Sequence, residues 1–112
     1  MSFRIDVKGL KEAQGMIENI QRGLEPHVFN DWASRVSRSA KIICNDPECK
    51  RIKFRHTEKL GFEYTFADTE AIDCVIKAIN QLSPSMPMVL KDLYLRVISD
   101  LENRKKDFKP ST

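Results

Sequence analysis

With 112 residues, 41% of them hydrophobic and 31% charged, the chain is sized for one domain that can bury its own core without metal or disulfide staples. No apolar run approaches the roughly 20 residues that span a bilayer. The opening Met1-Ser2-Phe3-Arg4 passes straight into an alternating strand rather than a secretory signal, so the expectation is a cytoplasmic protein without membrane contact. The formal net charge of +3 is small and leaves strong polyanion binding without support from composition alone.

Phe3, Ile5 and Val7 alternate with Arg4 and Asp6, which predicts a first strand over 3–7 with one buried face. Gly9 ends it. Leu10, Ala13, Ile17, Ile20 and Leu24 then recur at helical spacing, predicting an amphipathic helix over 10–23. Gly23 and Glu25-Pro26 break it, and the proline is suited to opening the next helix. That second helix is predicted from Pro26 to Cys44. Phe29, Trp32, Val36, Ala40 and Ile43 form its apolar face, and Ser34, Ser37, Arg38 and Lys41 its wet face.

Asn45-Asp46-Pro47-Glu48 is a turn signal. A β-hairpin follows over 51–68. Ile52, Phe54 and His56 share one face of its first strand, and Phe62, Tyr64 and Phe66 share one face of its second. Asp68 is placed to cap a third helix over 69–82, with Ala71, Ile72, Val75, Ile76, Ile79 and Leu82 as its apolar stripe. Ser83-Pro84-Ser85-Met86-Pro87 interrupts the chain before a fourth helix over 87–105. The predicted order is β-α-α-β-β-α-α. This is an α+β domain over 1–106, with a three-stranded sheet and helices packed on one face, followed by a flexible tail over 107–112.

The fourth helix is more apolar than one sheet face requires. Met86, Leu90, Leu93, Val97 and Leu101 make one stripe, and Val89, Tyr94, Leu95 and Ile98 add apolar area beside it. A helix apolar on several sides is either deeply buried or carries an interface. The second reading predicts a homo-oligomer, with Met86, Met88, Tyr94, Leu95 and Ile98 as the contacts.

Charge is unevenly placed. Residues 35–59 hold eight basic against three acidic residues, whereas 60–103 hold three basic against seven acidic. Lys50, Arg51, Lys53 and Arg55 are therefore candidates for an acidic partner or for phosphate. Basic and aromatic residues interleave here, as in single-strand nucleic-acid binders. Yet Phe54 falls on the strand face opposite Lys53 and Arg55, and, depending on register, Arg55 can oppose Glu63 across the hairpin and Lys53 can oppose Thr65. Nucleic-acid binding is the alternative function.

Cys44, Cys49, His56 and Cys74 form a conceivable zinc set, because Cys-x4-Cys fits a structural turn and a Cys3His site is tetrahedral. Only one tight ligand pair exists, so no metal or other cofactor is assigned. Catalysis also lacks a constellation. Cys49, His56 and Asp46 have nothing to fix a base beside the nucleophile, and the four glycines form no phosphate loop. The expectation is a protein that is not an enzyme, whose protein partner the sequence leaves unidentified.

Two family resemblances bear on this. The order β-α-α-β-β-α resembles that of K-homology RNA-binding domains, whose phosphate-clamping Gly-x-x-Gly loop joins the first two helices. Here that link reads Arg22-Gly23-Leu24-Glu25, with one glycine and an acid. The opening Phe3-Arg4-Ile5-Asp6-Val7-Lys8-Gly9-Leu10-Lys11-Glu12-Ala13-Gln14, and Ser39-Ala40-Lys41 further on, resemble tailed-phage tail-completion (head–tail connector) proteins. The likeness covers about the first 44 residues. The Thr-Gly-Arg-like segment of that family is replaced by Cys44–Cys49. The resemblance implies an oligomerising structural subunit with no catalytic residues.

Overall fold

The computed structural model describes residues 3–6, 24–56 and 62–107. Their order is β1 (Phe3–Asp6), α1 (Pro26–Ile43), β2 (Ile52–His56), β3 (Phe62–Phe66), α2 (Thr69–Leu82), a 3-10 turn (Ser83–Ser85) and α3 (Met88–Asp107). The fold is α+β, but the expected order is corrected. Among the described residues three α-helices are present, in the order β-α-β-β-α-α. The helix expected over 10–23, Val7 of the first strand, the turn at Glu58–Gly61 and the tail at 108–112 lie outside the described residues. So does the Arg22-Gly23 part of the link to α1.

The sheet is centred on a two-stranded antiparallel hairpin of β2 and β3, with β1 running antiparallel along the other side of β3. Hairpin register pairs Ile52 with Phe66, Phe54 with Tyr64 and Arg55 with Glu63; the last is the opposition that the sequence leaves conditional on register. Phe62, Tyr64 and Phe66 are fully buried, whereas β2 is an edge strand whose alternation holds through half-buried Phe54, packed against the core, and ends at His56. His56 was expected on the core-facing side and is exposed instead. It lies at the far end of the edge strand, where its ring meets Phe54 edge-on at 4.8 Å. Glu63 departs the other way: it was expected to be wet and is buried.

Local chemistry explains the helix boundaries. Pro26 opens α1 with no N–H to lose. Phe29, Ala33, Val36, Ser37 and Ala40 are its buried positions, so Ser37 joins the core that was expected to exclude it. Trp32 is half-buried, with the Arg35 guanidinium 4.8 Å above its ring. At the start of α2, the Asp68 side chain accepts the Ala71 N–H at 2.7 Å, the predicted N-cap, worth about 1 kcal/mol. Met86 is extended at φ −77°, ψ 146°, the region that a following proline enforces. Pro87 then accepts the N–H groups of Leu90 and Lys91. α3 outlasts its predicted end and runs to Asp107.

The core sits between the hairpin and the helices. Tyr94 of α3 stacks on Phe62 with ring centroids 5.8 Å apart, and Phe62 meets Phe29 of α1 at 5.9 Å. Each such buried aromatic ring contributes roughly 1.5–3 kcal/mol of transfer free energy. Leu90, Leu93, Val97 and Leu101 continue the buried stripe of α3. Among the described residues, no helix is long and apolar enough to cross a membrane.

Candidate interaction surface

The loop between α1 and β2 places most of the charged candidates. It leaves α1 through Asn45 and reaches β2 through Cys49, both at positive φ (53° and 56°). Asparagine tolerates that region; a cysteine there carries about 1–2 kcal/mol of strain. The turn closes on Asp46, whose carboxylate accepts the N–H groups of Lys50 at 2.7 Å, Arg51 at 3.0 Å and Ile52 at 2.8 Å. Burial alone raises the Asp46 carboxyl pKa. The three amides, together with the Arg51 charge, outweigh it and hold the group below its ordinary value.

Arg51 locks the same loop to α2. Its Nε and Nη2 reach the two oxygens of Asp68, both at 3.1 Å, and its Nη1 donates to the Cys44 carbonyl at 3.1 Å. Glu70 lies 3.0 Å from Nη2. This bidentate pairing lowers the Asp68 carboxyl and raises the guanidinium further. Arg51 therefore ties the C-terminus of α1 to the N-terminus of α2. It was expected to meet phosphate and is instead spent inside the fold.

The other hairpin cations are also placed. Lys50 pairs with Glu48 at 2.8 Å, and Arg55 reaches Glu63 at 3.2 Å, the cross-strand pair the register predicts. Lys53 is exposed opposite Thr65. Three of the four phosphate candidates thus already face carboxylates, and they do not form one free basic surface.

The cysteine–histidine set does not assemble. Cys44 and Cys74 are buried and their thiols interact, and Cys49 is half-buried on the turn. Burial first, and then the Cys44 contact, push the Cys74 thiol up to about 12. His56 is exposed on β2, and among the described residues no three ligating side chains gather where they could hold a metal ion.

The apolar excess of α3 divides in two. Met86 and Tyr94, expected as partner contacts, are core residues at 6% and 1% exposure. The reason is geometric: Tyr94 follows Leu90 by one turn, on the side that faces Phe62. Ile98 is half-buried and packs against the core. Met88 and Leu95, by contrast, are 73% and 55% exposed. They stand seven residues apart, two turns along one face, with exposed Asp92 between them and exposed Ser99 and Glu102 continuing the row. Among the described residues the third large exposed apolar side chain is Ile42, on the last turn of α1 at 80%. The sequence marked Ile43, not Ile42, as notable. Periodicity finds the residues a helix buries, and Ile42 is visible only as an apolar residue out of phase with that stripe.

No family model matches the chain, and no curated protein or solved structure matches it either.

Proposed function

We propose that the protein is a non-enzymatic structural subunit, or interaction protein, that self-associates through the outer face of α3. The observation that carries this is the pair Met88 and Leu95, two large apolar side chains held in water on one face of a helix whose other face is fully committed to the core. Covering both in a partner removes apolar surface from water at about 25 cal/mol per Å². The polar residues between them would form the mixed rim typical of an interface. The resemblance of residues 3–14 and 39–41 to tail-completion proteins accords with an assembly role. Three free cysteines accord with a cytoplasmic, reducing setting.

Native mass spectrometry across a concentration series tests the reading. The wild-type chain should rise above the 13.0 kDa monomer mass as concentration increases. Met88→Glu/Leu95→Glu should stay monomeric with unchanged circular dichroism. Ile98 is left untouched because its packing against the core would confuse assembly with folding. A wild-type monomer that binds oligonucleotides with steep salt dependence would instead favour the basic hairpin.

A further inference from the structure

A groove runs between the C-terminal half of α1 and the end of α2, lined by Arg35, Arg38, Ile42, Ile43 and Leu82 among others. Its chemistry is the complement of the α3 face. Arg35 to Ile42 spans seven residues, two helical turns or about 10 Å, as does Met88 to Leu95. The groove offers apolar Ile42, Ile43 and Leu82 beside cations. The α3 row offers apolar Met88 and Leu95 beside Asp92 and Glu102, with Lys91 and Arg96 flanking it. Arg35 is already held by Asp31 at 2.9 Å. Arg38 is exposed and has no ion-pair partner among the described residues, so it is the cation best placed to take a carboxylate from outside. The neighbouring groove between α2 and α3 differs, because Lys105 and Asp73 in its lining pair with each other at 2.7 Å.

Resting on the self-association reading, we propose that the occupant of the α1–α2 groove is the Met88–Glu102 face of α3 from a second copy of this chain. The contact is heterologous: each protomer gives its α3 face to one neighbour and its groove to another. Such an interface closes into a ring or grows as a filament, rather than stopping at a two-fold dimer. Joining face to groove lets Arg38, unpaired among the described residues, meet Asp92 of the row, with Lys91 and Arg96 left at its edge. Joining groove to groove would crowd Arg35 and Arg38 against their own copies, a like-charge penalty.

Two single variants test this by sedimentation velocity. Ile42→Glu disables the groove and Leu95→Glu disables the face; both side chains are exposed, so the fold should survive. The expected result is that each variant alone is monomeric while a 1:1 mixture forms a dimer, the intact face of one chain seated in the intact groove of the other. If Ile42→Glu associates as the wild type does while Leu95→Glu does not, the face pairs with itself and the groove assignment is overturned. If the wild type is monomeric at every concentration, the self-association reading fails first and this inference goes with it. Charge reversal supplies a second route if either variant unfolds. Arg38→Glu or Asp92→Arg should each weaken assembly about tenfold, and the double reversal should restore it. Failure of that rescue would count against the pairing.

Discussion

The α1–β2 loop and the outer face of α3 dispose of their chemistry in opposite ways. The loop is dense with charge, and nearly all of it is consumed internally. Asp46 takes three backbone amides, Arg51 takes Asp68, Glu70 and a carbonyl, and Lys50 takes Glu48. The α3 face carries less charge, and it leaves two large apolar side chains uncovered. Charge density alone marks the loop as the place to bind something. Satisfaction of each group shows the loop to be a joint, and leaves the α3 face, with Ile42, as the places among the described residues where large apolar side chains stand exposed.

Breaking the joint should have the largest effect on stability. Asp46→Ala strands three N–H groups, one of them on buried Ile52, and should cost about 3 kcal/mol or more in urea denaturation. Arg51→Met should cost about 1–3 kcal/mol, because it removes the partner of Asp68 while keeping the aliphatic stem. If either variant is as stable as wild type, the loop is not a joint.

The joint should also be acid-labile. Asp46 and Asp68 both ionise below their ordinary value of 3.8 in the folded chain. The unfolded chain therefore binds more protons than the folded one in that window, and stability rises with pH through it. The contribution is fully present above the ordinary carboxylate value and is lost as pH falls through the lowered folded values. Urea midpoints measured from pH 6 down to pH 2.5 should decline more steeply in wild type than in Asp46→Asn. Equal slopes would remove Asp46 from the explanation.

On the α3 side the contrast sharpens. Leu95→Glu should change monomer stability by less than about 0.5 kcal/mol while abolishing assembly. Its neighbour Tyr94 should behave oppositely. Among the described residues the buried Tyr94 hydroxyl has no hydrogen-bond partner, so Tyr94→Phe should be neutral or stabilising by up to about 1 kcal/mol, with assembly intact. The smallest effect belongs to Cys49→Gly, which relieves the left-handed backbone at φ 56°. It should raise stability by a few tenths of a kcal/mol, net of the entropy glycine adds to the unfolded chain.

Much of the fold could be read from local pattern. The ends of α1 and α2, the Asp68 cap and the two hairpin strands all follow from periodicity, turn residues and capping, whereas the Arg55–Glu63 pairing needed the register as well. These depend on residues close in sequence or directly opposed across a hairpin. The joint was not legible, because Arg51 and Asp68 are seventeen residues apart and nothing local says that α1 ends where α2 begins. The meeting of Cys44 with Cys74 is hidden for the same reason. The α3 surface was half legible. Apolar excess flagged the helix, but separating Leu95 from Tyr94 needs the position of Phe62, which sequence spacing does not supply. His56 failed because alternation assigns a face without saying how far along an edge strand the core extends.

Sedimentation velocity of the wild-type chain over a wide concentration range, beside Leu95→Glu at each concentration, bears most directly on whether the α3 face is an interface. The prediction is a sedimentation coefficient that climbs with concentration in wild type and stays at the monomer value in the variant. A wild-type chain that sediments as a monomer throughout, indistinguishable from Leu95→Glu, would contradict it.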